Sequence, residues 1–236
     1  MAELGELSRE RLEDMAAAGA EIVECYRLLR KTDDNVVGEL LRGHGEFYEW
    51  DHYPPGDVYD NETHSQYYYH AHPVELRGGE HGHFHTFLRP KGMPDGVFPA
   101  DLADFSPPSG DNDALSHLIG ISMDSHGYPI RLFSTNRWVT GEVWYTAGDV
   151  IRMLDCFDMD LAYPSLPVNT WVTAMVRLFR PTVERLIVSR DAAVAEWQAR
   201  HHDINVYEDR NLEITAYADI DVDGQIQAVV RALGTK

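Results

Sequence analysis

The stretch that decides the fold is residues 66–88, QYYYHAHPVELRGGEHGHFHTFL, which holds five of the twelve histidines in the chain. These five are His70, His72, His81, His83 and His85. The Gly78-Gly79 pair in the middle is typical of a two-residue β-hairpin turn. Tyrosine and phenylalanine residues on both arms favour strands over helix. The stretch therefore predicts two antiparallel strands with histidines on each.

The spacing of the histidines predicts which way their side chains point. Strand side chains alternate between faces, so histidines two residues apart share a face. With the turn at Gly78-Gly79, His72 lies opposite His85, and Val74 lies opposite His83. If the residue numbers of each cross-strand pair sum to an odd value, all five imidazoles lie on one face. If the sum is even, His70 and His72 lie on one face, and His81, His83 and His85 lie on the other. Pro73 cannot donate a ladder hydrogen bond. The alternative is therefore that a loop from Pro73 to Gly79 connects the two strands, and in that case their register is open.

Imidazoles gathered on one sheet face predict a metal site. Opposed Cβ atoms are about 5 Å apart, so three or four imidazoles can converge on one ion. Histidines that decorate a solvated or polar sheet face are the alternative, but five at period-two spacing favour the metal. The predicted ligands are His70, His72, His83 and His85, followed by His81, Glu80 and His117. Such a ligand set suits Fe(II), Cu or Zn, and Fe(II) is the favoured ion.

His117 belongs to a second predicted strand, residues 115–123. Period-two spacing places it on the same face as Ile119, Ile121 and Met123. Because these neighbours are apolar, we expect His117 to point inward, where it is either a hydrogen-bonded core residue or a metal ligand.

The composition excludes some partners and compartments. A formal net charge of −19 argues against binding to nucleic acid or to an anionic membrane surface, because phosphates are repelled. The first residues are acidic and polar, unlike a signal peptide, and no run has the length of a transmembrane helix. Cys25 and Cys156 form no CxxC pattern, which argues against disulfides and cysteine-rich zinc sites. We therefore expect a cytoplasmic protein; whether it forms a homo-oligomer is open.

The order of patterns along the chain predicts a single α+β domain over residues 1–236. Helices are predicted in residues 1–45, a mainly antiparallel sheet in about residues 66–140, and helices with one returning strand in residues 146–236. Residues 49–65 and 90–113, rich in Pro, Gly and Asp, are predicted loops. We expect the second loop to cover the histidine face.

Aromatic residues near the histidines suggest redox chemistry. Trp50, Tyr53, Tyr67, Tyr68, Tyr69 and Phe84 are expected to line or back an apolar cavity. The first hypothesis is a non-haem iron (or copper) oxidase or oxygenase that acts on a small organic substrate, with Tyr68 as a hydrogen-bond donor and Glu80 as a second catalytic candidate. The alternatives are a zinc hydrolase, in which Glu80 or an acid of residues 57–62 is the general base, and a metal or haem carrier or sensor without enzymatic activity.

Overall fold

The computed structural model describes residues 4–73, 79–103 and 105–235. They fold into an α+β domain, with an antiparallel sheet between N- and C-terminal helices, so the predicted fold class is confirmed. Part of the predicted hairpin turn, including Val74, Arg77 and Gly78, lies outside the described residues.

The sheet has six strands in the order of the chain, and each is antiparallel to its neighbour. Their bounds are β1 Tyr53–Tyr59, β2 Ser65–His70, β3 Gly82–Leu88, β4 Ser116–Met123, β5 Pro129–Thr135 and β6 Ile214–Asp219. Strands that follow one another in the chain are neighbours in the sheet, so the histidine-bearing strands β2 and β3 lie side by side.

Helices precede the sheet, follow β5 and end the chain. The α-helices of the described residues are α1 Arg9–Arg30, α2 Val36–Leu41, α3 Arg137–Thr140, α4 Ala147–Met153, α5 Leu166–Leu178, α6 Arg180–Arg200 and α7 Val222–Gly234. Short 3-10 helices are Leu4–Glu6, Pro90–Gly92 and Val206–Glu208. Side-chain caps fix where helices start: the Ser8 hydroxyl accepts a hydrogen bond from the Arg11 amide (3.1 Å), and the Thr146 hydroxyl accepts one from the Asp149 amide.

The two faces of the sheet have different roles. One, the core face, carries Tyr67, Tyr69, Phe84, Ile119 and Ile121, which are all buried in the main hydrophobic core. Helices α1 and α5 belong to the same core, and the Trp171 ring of α5 lies 5.4 Å from Phe84. Burying each such large side chain contributes roughly 1.5–3 kcal/mol. This packing fixes which residues of β2 and β3 point to the opposite face.

The register of β2 and β3 differs from the one that a turn at Gly78-Gly79 predicts. His70 pairs with His83, and Tyr68 with His85. The residue numbers of each pair sum to 153, which is odd, so His70 of β2 shares a face with His83 and His85 of β3, as the odd sum requires. The predicted pairing of His72 with His85 is wrong, because β2 ends at His70 and a longer connection joins it to β3.

Two segments differ from the sequence predictions. Residues 53–59, predicted as loop, form the edge strand β1 despite Pro54 and Pro55; an edge strand tolerates proline because its outer amides need no partner. The sheet region predicted to extend to about residue 140 ends at Thr135 of β5, and Asn136 caps the short helix α3 with its side chain.

Candidate metal site and its cavity

Three histidines on the imidazole face, the face opposite the core face, form a group that can hold a metal ion. His70, His72 and His83 each present a ring nitrogen, and the three nitrogens lie within 4.8 Å of one another. Metal–nitrogen bonds of about 2.0–2.1 Å hold ligand atoms within about 4.2 Å of each other, so small side-chain rotations bring all three onto one ion. His70 ends β2, His72 follows it, and His83 lies on β3.

The neighbours of His83 set the direction of its ring. Its Nδ1 lies 2.6 Å from Oε1 of Glu80, and its Nε2 lies 2.6 Å from Nε2 of His70. His83 is 1% exposed and the Glu80 side chain 10% exposed, so water competes little for this contact. A carboxylate on Nδ1 leaves Nε2 available to a metal, as in carboxylate–histidine–metal arrangements.

Two further histidines extend the group into the protein. Nδ1 of His85 lies 3.0 Å from Nε2 of His117, and the His85 ring centroid is 4.8 Å from that of His83. His117 reaches this face because β4 contains a bulge: Thr86 pairs with Ile119, whereas Phe87 pairs with His117. The extra residue, Leu118, turns His117 away from the face of Ile119. The prediction that these two residues share a face is therefore wrong.

Burial keeps these inner histidines neutral. Desolvation lowers the pKa of His85 well below its usual value, with a further lowering by His83 and His117. Desolvation also lowers the pKa of His117 to about 3, aided by the charge of Arg190. Neutral imidazole is the form that binds metals.

A buried carboxylate lies beyond His117. Oε2 of Glu142 accepts a hydrogen bond from the His117 amide (2.7 Å), while its Oε1 has no hydrogen-bond partner among the described residues. Desolvation raises the pKa of Glu142 to about 7, opposed by Arg190, the His117 amide and Arg137. Glu142 is therefore a buried acid that titrates near neutral pH.

His70 and His72 of the three-histidine group line a cavity of about 690 Å³, within the range typical of small-molecule sites, and His83 lies behind them. Its lining residues are Trp50, His52, Tyr68, His70, His72, Trp138, Val139, Asn211, Glu213 and Ile214. The walls come from both ends of the sheet, with β2 and the segment before β1 on one side and α3 and the start of β6 on the other. The histidines therefore border a space in which a small molecule can bind.

Tyr68 and His52 form a stacked pair in the wall of this cavity. Their ring centroids are 3.6 Å apart and their planes differ by 9°. Nδ1 of His52 lies 3.0 Å from Oδ1 of Asp57, whose Oδ2 accepts a hydrogen bond from Gln66. Arg89 in turn donates to Gln66 over 2.6 Å. This chain of hydrogen bonds fixes the orientation of the His52 ring.

Some residues predicted near the site lie elsewhere. His81 precedes β3, so strand alternation does not apply to it; its Nδ1 contacts the Tyr69 hydroxyl (2.6 Å), and its ring stacks on Phe47. Tyr67, Tyr69 and Phe84 lie on the core face, and Tyr53 borders a different pocket. Among the predicted aromatic residues, Tyr68 and Trp50 do line the cavity.

The loop of residues 90–113 does not line the cavity in the part that the structure describes, residues 90–103 and 105–113. The Ala100 amide donates instead to the carbonyl of Trp144 (2.8 Å), and Phe105 packs under the guanidinium of Arg137. The expectation that this loop covers the histidine face therefore stays a prediction.

The wall formed by Trp138, Val139, Asn211, Glu213 and Ile214 was missed by the sequence reasoning. These residues lie more than fifty positions from the histidines, in segments with no metal-ligand spacing of their own. Folding of the whole sheet brings them to the site, and no local pattern in the sequence signals it.

Comparisons with known proteins add a family but no activity. In the described residues, no helix is both long enough and apolar enough to span a membrane. Neither the curated proteins nor the solved structures gave a match. The family model described as "Domain of unknown function (DUF6969)" matches residues 16–220, which is most of the chain, and the protein therefore belongs to this family.

Proposed function

We propose that the protein is a metal-dependent enzyme in which His70, His72 and His83 hold a transition metal at the wall of a substrate cavity. The reaction we propose is a non-haem iron (or copper) oxidation or oxygenation of a small organic molecule. The observation that carries this proposal is that two members of the three-histidine group, His70 and His72, line a cavity of about 690 Å³. A structural metal site is normally closed, whereas a catalytic one keeps a position open toward its substrate.

The chemistry of the surrounding residues supports iron or copper. The donors are imidazole nitrogens, which suit Fe, Cu and Zn. Thiolate does not contribute, because Cys25 is buried in the hydrophobic core and Cys156 packs against that core rather than lining the cavity. Trp50, Tyr68 and Trp138 give the cavity a largely aromatic wall, which favours an organic substrate over a hydrated ion.

The position of Glu80 argues against its role as a general base. Its Oε1 is held by His83 at 2.6 Å, so the carboxylate orients a ligand. Tyr68 fits its predicted role better, since its ring lies on the imidazole face between His52 and His85. We propose Tyr68 as the hydrogen-bond donor of the reaction.

A zinc hydrolase is the second candidate, and one observation favours it. Glu213 lines the same cavity as His70 and His72 and is a carboxylate in its wall. In a hydrolase, this carboxylate would receive the proton of a water activated by the metal.

Elemental analysis of protein purified without an affinity tag tests the proposal, together with absorption spectra before and after exposure to air. We expect near-stoichiometric iron or copper and a spectrum that changes with oxygen. Zinc alone, without colour, would favour the hydrolase. No metal, even after reconstitution with Fe(II), Cu(II) and Zn(II), would overturn both candidates.

A further inference from the structure

We propose that the cavity selects a neutral, planar aromatic molecule with a hydroxyl group, such as a phenol of one to three rings. This inference rests on the proposed function, because it names the substrate class of the same cavity. Three features carry it: the charges of the cavity wall, the arrangement of its aromatic rings, and the hydrogen-bonding state of His52.

The charges of the wall disfavour an anionic ligand. None of the described residues that line the cavity is Lys or Arg. The formal net charge of −19 adds a field that lowers the local concentration of anions. Phosphorylated compounds and carboxylates are therefore poor candidates, although a bound metal would attract their charge.

Two indole rings shape the cavity for a flat molecule. The Trp138 ring is fixed by a hydrogen bond from its Nε1 to the Leu212 carbonyl (2.9 Å), and the Arg210 guanidinium lies over the ring, 4.2 Å from its centroid. Trp50 is 56% exposed, and its ring centroid lies 4.3 Å from that of His72. The fixed indole of Trp138 in the cavity wall, and that of Trp50 beside His72, offer surfaces on which an aromatic ring can stack.

His52 provides an acceptor for a hydroxyl group. In neutral imidazole one ring nitrogen donates and the other accepts. In the neutral ring, the contact with the Asp57 carboxylate places the hydrogen on Nδ1 of His52 and leaves Nε2 as the acceptor. The tight stack on Tyr68 and the bonds from Asp57 through Gln66 to Arg89 hold this ring in place. An O–H donor on the ligand completes the arrangement.

Calorimetric titration of the protein as purified tests the proposal with three probes of equal ring size. The probes are 2-naphthol, 2-methoxynaphthalene, which lacks the O–H donor, and 2-naphthoate, which is an anion. We expect 2-naphthol to bind about fivefold more tightly than the methoxy compound, as one hydrogen bond allows, and at least tenfold more tightly than 2-naphthoate.

Variants assign each part of this preference. His52→Phe keeps a ring to stack on Tyr68 but removes the acceptor, so we expect 2-naphthol to fall to the affinity of the methoxy compound. Trp138→Leu should weaken both neutral probes about tenfold. His126→Phe, in an exposed turn, is the matched control, and we expect it to bind all three probes with the affinity of the unmodified protein.

The outcomes separate this inference from the proposed function, because metal content is measured on the same samples. Equal or tighter binding of 2-naphthoate would overturn the substrate class. A preference for 2-naphthol that survives in His52→Phe would overturn the role of His52. If one of these two results is found in protein that contains stoichiometric metal, only the substrate class or the role of His52 is wrong, and the metal site is unaffected. Absence of metal from the unmodified protein would instead contradict the proposed function.

Discussion

Oε1 of Glu80 lies 2.6 Å from Nδ1 of His83, and the two residues are three positions apart in the chain. The His83 ring is 1% exposed, so water competes little with this carboxylate for Nδ1. Its other nitrogen faces His70. Glu80 therefore determines which nitrogen of His83 faces the three-histidine group.

Replacement of Glu80 by Ala should lower metal affinity by about 10–100-fold, because the ring of His83 loses the partner that orients it. Glu80→Gln keeps an acceptor oxygen and should therefore lose less metal affinity than Glu80→Ala. Competition with a chromophoric chelator measures the affinity. Glu62→Gln, on an exposed loop, is the control; equal affinity in Glu80→Ala and the control would contradict an orienting role.

Replacement of His83 by Ala should sharply lower metal occupancy, because it removes one of the three ligands. His81→Ala is the matched comparison, since His81 contacts Tyr69 on the other side of the sheet. That variant should keep its metal and lose about 1 kcal/mol of stability with its hydrogen bond. Elemental analysis and helical circular dichroism check both variants. Unchanged metal in His83→Ala would rule out the site.

A side chain at position 120 should destabilise the protein. A Cβ on Gly120 would lie 2.3 Å from Cζ of Phe133, whose ring in turn packs against His83 (5.2 Å between centroids). Gly120→Ala should therefore cost about 1–3 kcal/mol of unfolding free energy, measured by urea denaturation. At Gly5 a Cβ meets nothing within 4 Å, so Gly5→Ala should stay within about 0.5 kcal/mol of the natural protein.

Stability should depend on pH through Glu142. Its pKa is raised from 4.5 to about 7 in the folded protein, so the folded state holds a proton that the unfolded state releases. The stability that this residue contributes is therefore fully present below about pH 4.5 and is lost as pH rises through about 7. The total loss in unfolding free energy is about 3 kcal/mol.

Glu142→Gln isolates this contribution, because Gln does not titrate and still accepts from the His117 amide. The stability of the variant relative to the natural protein should increase between pH 4 and pH 8. Comparing the two proteins at each pH cancels the opposite effect of buried His117, whose lowered pKa costs stability as pH falls below about 6.5. A difference that stays constant with pH would contradict the buried, protonated Glu142.

The sequence by itself determined the local features of this protein. Period-two spacing placed His83 and His85 on one face of β3, because side-chain alternation is a property of any strand. The observed register then put His70 on the same face. The order of helical and strand patterns predicted the α+β class. The spacing of apolar residues along a helix or strand depends on which of its residues must be buried, so it can be read from the local sequence.

Only the tertiary structure decided which histidines meet and what surrounds them. The bulge at Leu118 turns His117 toward His85, and the start of β3 at Gly82 leaves His81 beside Tyr69. The tertiary fold brings Trp138 and Glu213, which are distant from the histidines in the sequence, to the wall of the cavity. Bulges, strand ends and long-range walls follow from the packing of the whole sheet against its helices, and a local pattern carries no information about them.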